Sequence, residues 1–128
     1  MVAPYDDSIM QQIEATAKDI DRFYLTMLEG KTQANLGRDY KYFQEDYINI
    51  EVELNSILMK NRVKPLNEHS IRICEITLEL WRKYKAEHQQ DNTLSDGLIK
   101  LNRKTFDDLF FAMQSAEKGK QIATNPPQ

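Results

Sequence analysis

The chain contains one cysteine, four glycines and four prolines in 128 residues. A lone Cys74 excludes an intramolecular disulfide. Pro126 and Pro127 lie in the last three residues and Pro4 near the start, which leaves Pro65 alone in between. A chain so poor in turn formers has long elements, and long elements favour helices over sheets. No run approaches the roughly 18 apolar residues of a membrane span. The opening residues Met1-Val2-Ala3-Pro4-Tyr5-Asp6-Asp7 lack the basic and apolar regions of a signal peptide. A cytoplasmic address away from membranes is the expectation. Metal-ligand spacing is missing too. Three residues before His69 and His88 stand Leu66 and Lys85, so the Glu-x-x-His pairs of di-iron bundles are absent, and so is His-x-x-x-His. No metal or other cofactor is expected. Both histidines read as surface or helix-end residues, and Cys74, on an apolar stripe, as a buried structural cysteine.

The formal charge is −3. Nucleic-acid binders carry a positive balance and a basic face, so the whole-chain charge leans against that class. The length is that of one domain able to bury a core without disulfides or metals. The expected organisation is a single helical domain over 1–119 and a mobile tail over 120–128.

Apolar spacing supplies the architecture. Ile9, Ile13, Ala17, Ile20, Phe23 or Tyr24, and Met27 recur at steps of three and four, one face of a helix. Ser8 and Gln11 have capping-box spacing at its start, and Gly30 is its natural stop. The strongest signal follows. Leu36, Phe43, Ile50 and Ile57 are seven apart, and Tyr40, Tyr47 and Leu54 are seven apart with an offset of four. That is an a/d pattern held for three heptads, and Pro65 forbids its continuation. A third helix begins after Asn67, with Ile73, Ile76, Leu80 and Tyr84 on one stripe and Cys74, Thr77 and Trp81 beside it. A fourth starts near Thr93 or Ser95, with Leu94, Leu98, Leu101, Thr105, Leu109, Ala112 and Ala116 on one face, and ends at Gly119. The spacing predicts an all-α, antiparallel up-down-up-down four-helix bundle with helices at about 8–29, 35–61, 68–89 and 94–118.

Residues that break the pattern point to function. Tyr42 shares its helical face with Arg38, Asp39 and Glu45. Ile48, Val52 and Met59 form a second apolar stripe beside the main heptad. Phe106, Phe110 and Phe111 crowd six residues and cannot all enter one core stripe. Off-pattern aromatics and a second stripe mark protein interfaces. The expected function is therefore a non-enzymatic interaction module, an adaptor, regulator or small assembly factor. It would act through outer faces of the second and fourth helices, with Phe111, Tyr42, Ile48, Val52 and Phe110 touching another protein or a second copy.

Two alternatives rest on other residues. The segment Arg82-Lys83-Tyr84-Lys85-Ala86-Glu87-His88 resembles the signature of HEPN-domain ribonucleases, small all-α proteins that pair two such motifs in a dimer. The resemblance covers seven residues. It implies that Arg82 stabilises phosphate charge and His88 assists proton transfer. Six helical residues turn by about 600°, so joint action would need the helix to end or bend between them. The second alternative is an acidic inhibitor or immunity-type protein, built on Asp39, Glu45, Asp46, Glu51 and Glu53.

Overall fold

A computed structural model describes residues 2–30, 32 and 37–124. Four helices occur in chain order: α1 Asp7–Leu25, α2 Gln44–Arg62, α3 Glu68–Asp91 and α4 Asp96–Thr124, with no strand among the described residues. α1 packs on α2 and α4, and α3 packs on α2 and α4. The helices therefore close a ring in which each touches two neighbours, while α2 and α4 stand diagonally opposite. This is the antiparallel four-helix bundle that the heptads predict.

α1 starts and stops for local reasons, whereas α2 and α3 begin without a side-chain cap. α1 is capped by Asp6, whose carboxylate accepts from the backbone N–H of Ser8 at 2.9 Å and of Ile9 at 3.1 Å. Asp6 takes the role expected of Ser8 because it stands one residue before the helix, where a carboxylate meets the free N–H groups and the positive dipole end. Lys64 binds the same carboxylate at 2.9 Å, and with the capping bonds it lowers the Asp6 pKa to about 2. The last turn of the first helix widens into a π turn, Thr26–Gly30, ending on the expected glycine.

The second helix is shorter than predicted. A 3-10 turn, Tyr40–Tyr42, precedes α2, which begins at Gln44 rather than near 35. Leu36 lies outside the described residues. Phe43, Tyr47, Ile50, Leu54 and Ile57 are all buried, so the heptad seam is the core face. α3 runs two residues past the predicted end, and Asn92 adopts the left-handed conformation (φ 54°) that an asparagine tolerates at a helix stop. Of its two apolar stripes, Cys74, Thr77 and Trp81 with Ile73 and Leu78 are buried, while Ile76, Leu80 and Tyr84 are half-buried.

α4 departs most from expectation. Its buried face is Ile99, Asn102, Phe106, Phe110, Met113, Glu117 and Lys120. The predicted face through Leu98, Leu101, Thr105, Leu109, Ala112 and Ala116 is the neighbouring one, displaced by one residue. Leu98 and Leu101 are exposed. An apolar count centres the face one residue away because the true one includes three polar residues; Leu109, Ala112 and Ala116 still pack against the edge of the core. Nor does Gly119 end the helix, which continues to Thr124. Lys120, expected in a mobile tail, is buried; residues 125–128 lie outside those described.

The bundle centre is aromatic. The Phe23 ring meets Tyr24, Phe43, Tyr47 and Trp81 edge-on, with ring centroids 4.9, 5.6, 4.8 and 5.4 Å away. Edge-to-face pairs are worth roughly 0.5–1.5 kcal/mol each beyond area burial. The Trp81 indole N–H is satisfied by the Tyr47 carbonyl at 3.0 Å.

Buried polar groups close the two ends. At one end Arg38, only 2% exposed, threads into the bundle. Its Nε donates to the Met27 carbonyl at 3.2 Å, Nη2 to Leu28 at 3.3 Å and Nη1 to Leu94 at 3.0 Å, and Nη1 pairs with the Asp96 carboxylate at 2.7 Å. These are carbonyls at a helix end and in a connection, where intrahelical partners are lacking. At the other end Lys120 donates to Glu117 at 2.8 Å and to Asn67 at 2.6 Å, and Asn67 donates to the backbone and side-chain oxygens of Asn61 at 2.9 and 2.8 Å.

Two stability predictions follow from these ends. Arg38→Ala leaves several carbonyls and Asp96 without their donor, so urea unfolding is expected to show a loss of at least about 3 kcal/mol. Arg38→Lys recovers only a minor part, because one ammonium cannot reproduce the planar fork. Lys120→Met strands a buried Glu117 carboxylate and is expected to cost about 3–5 kcal/mol. Adding Glu117→Leu removes the stranded charge and should return most of that loss in the same assay.

Candidate interaction surface and the buried histidine

Arg82 and His88 lie on one unbroken helix, and their side chains go to different places. Arg82 is exposed and reaches across to α2, where its Nε bonds the Glu51 carboxylate at 3.2 Å; Lys85 bonds the other oxygen at 3.1 Å. Burial pushes the Glu51 carboxyl upward, but the two cations outweigh it and hold the group below its ordinary value. His88 is fully buried, which corrects the expectation of a surface histidine. Its Nε2 lies 2.7 Å from the Arg38 carbonyl and its Nδ1 2.8 Å from the Tyr47 hydroxyl. A carbonyl only accepts, so Nε2 carries the proton and Nδ1 accepts from Tyr47. Both ring nitrogens are thus engaged within the chain, and the structure does not bring Arg82 and His88 together. The sequence held one clue: His88 falls seven residues after Trp81, on the same buried stripe.

Desolvation lowers the His88 pKa, outweighing the Arg38 carbonyl and Asp39, both of which raise it. The folded protein therefore binds fewer protons at this site than the unfolded chain does. Stability is complete above the unfolded value near 6.5 and declines as pH falls below it. Cys74 is also buried, and desolvation pushes its thiol up to about 12, which leaves it protonated and unreactive.

The acidic residues of the second alternative do not all share one surface. Glu51 faces α3 and is neutralised there, while Glu53 faces α1 and accepts from Gln12 at 3.0 Å. Between α1 and α2 runs an open groove of about 490 Å³, floored by Phe23, Phe43 and Ile50 and rimmed by Asp46, Glu53 and Val52. Desolvation and the neighbouring Glu45 raise the Asp46 pKa. Among the described residues no group of His, Cys, Asp and Glu is placed to hold a metal, and no helix is long and apolar enough to cross a membrane.

The expected partner residues divide. Phe110 is 3% exposed and packs in the core, which corrects its expected place on the surface. Phe106 and Phe110 take the inward positions of α4 and leave Phe111 outside, 73% exposed. Tyr42 sits on the 3-10 turn, exposed, with the Lys41 ammonium 5.2 Å from its ring centre. Ile48, Val52 and Met59 are 48%, 60% and 47% exposed along the outer face of α2. Because α2 and α4 are diagonal, Phe111 and the α2 stripe lie on opposite sides of the molecule. They are two surfaces, not one. No family model, curated protein or solved structure matches the chain.

The histidine geometry makes a pH prediction. The urea midpoint is expected to fall between pH 7.5 and pH 5.5, and His88→Gln should flatten that slope while lowering stability at pH 7.5. An equal slope in the variant would assign the dependence to another group.

Proposed function

We propose that this chain is a helical interaction module, an adaptor, regulator or small assembly factor of the cytoplasm, whose main working surface is the outer face of α2. The observation that carries the reading is the exposed row Ile48, Val52 and Met59, on the side of α2 turned away from Tyr47, Ile50, Leu54 and Ile57. A helix in a bundle needs one apolar stripe to fold. A second stripe directed to solvent loses hydration free energy and is stabilising only when covered. Phe111 on α4 is a second and separate contact point, isolated among Lys104, Asp108, Ser115 and Lys118. A single buried thiol is in keeping with a reducing compartment.

Affinity capture from the native cell tests the reading, with wild type, Ile48→Asp/Val52→Asp and Phe111→Asp as baits. All three substituted positions are exposed, so each bait should keep the wild-type circular dichroism and unfolding midpoint. The α2 variant is expected to lose partners that wild type retains, and Phe111→Asp a different set. Identical capture by all three folded baits would overturn the proposal.

A further inference from the structure

We infer that the outer stripe of α2 docks against the same stripe of a second copy, with the two helices antiparallel. The inference rests on the interaction-module reading and names its partner.

The first observation is spacing. Ile48, Val52, Asn55 and Met59 are separated by four, three and four residues, and all four are exposed. That is the a/d spacing of a helix–helix seam, repeated on the back of a helix whose front already carries one. A flat surface or an extended peptide does not call for this period; another helix does. Three apolar positions around one asparagine is also a common seam composition, in which the polar residue sets register at some cost in affinity.

The second observation is charge. The first half of α2, residues 44–53, carries Glu45, Asp46, Glu51 and Glu53 and no basic residue. The stretch that follows, residues 54–64, carries Lys60, Arg62 and Lys64 and no acidic residue. Glu51, Arg62 and Lys64 are already ion-paired within the chain, so the charges left to a second copy are Glu45, Asp46 and Glu53 in the first stretch and Lys60 in the second. A parallel pairing of two copies sets acid against acid and base against base. An antiparallel pairing sets each acidic half against the partner's basic half, and also opposes the helix dipoles favourably. The surface is thus complementary to itself under a two-fold axis, the condition for a closed, isologous dimer.

The third observation fixes the register. Bringing Ile48 opposite Met59 of the second copy places Val52 opposite Asn55. Glu45 and Lys60 flank the seam on the same side, the side toward α1. A two-fold axis across the helices keeps same-side residues together, so Glu45 lies within reach of Lys60 in the second copy. Both are exposed, and neither is in a salt bridge among the described residues.

The seam from Glu45 to Arg62 is about 26 Å long at 1.5 Å per residue. One helix pair of that length is at the small end of specific interfaces, so the dissociation constant is expected on the order of 10–100 μM.

Sedimentation equilibrium of the full chain over a concentration series tests the inference. Wild type should associate to a dimer, and Val52→Asp should be monomeric throughout with an unchanged unfolding midpoint. Glu45→Lys and Lys60→Glu should each weaken association on the order of tenfold, since each puts like charges together. The double variant Glu45→Lys/Lys60→Glu should recover the wild-type constant. A wild type that stays monomeric to about 1 mM overturns the self-association. A dimer that the double variant fails to restore overturns the antiparallel register. A monomeric wild type whose α2 variant still loses captured partners leaves the interaction-module reading standing without the second copy. Identical capture then removes both.

Discussion

The fold depends on a single guanidinium brought in from a connecting segment. Arg38 lies between the first two helices in sequence but inside the bundle in space, and it satisfies carbonyls from the π turn and from the α3–α4 connection at once. Those carbonyls exist because helices end, and a helix end buried without donors is unfavourable. Its own carbonyl is held by His88, and His88 is held by Tyr47, whose ring packs on Trp81. A chain of hydrogen bonds thus links one closed end of the bundle to its aromatic centre. Water is excluded along it, which makes each bond stronger and its loss more costly.

The opposite end is closed by the same logic with different chemistry. Lys120 and Glu117 form a buried ion pair, and the amides of Asn67 and Asn61 extend it toward Cys74. The pair ties the last turns of α4 to the α2–α3 connection. Charged groups at both ends leave the middle of the bundle free for Phe23, Tyr47, Trp81 and Phe106.

Much of the fold is legible in the spacing of apolar residues. The heptads through Phe43, Tyr47, Ile50, Leu54 and Ile57 indicate a bundle seam, and the structure buries all of them. The off-pattern residues Ile48, Val52 and Phe111 are exposed, as their places on the helical wheel require. Phe110 is the exception. Three phenylalanines in six residues show that one must point outward, but not which. The centre of the buried face of α4 is hidden from pattern reading for a related reason. Asn102, Glu117 and Lys120 are inward, and pattern reading scores polar residues as outward unless their partners are known.

The class is legible from local pattern: few turn formers, helical period and a sustained heptad admit little but a helical bundle. So are the two stripes of α2, since periodicity is a local property of a helix. Packing in three dimensions selects which stripe of α4 is buried and carries the helix through Gly119. It alone placed His88 inside and Arg82 outside, and it alone set Phe111 on the far side from α2. The reason is the same in each case. A buried polar group is stable only when a partner from a distant part of the chain meets it, and spacing along one helix carries no record of that partner.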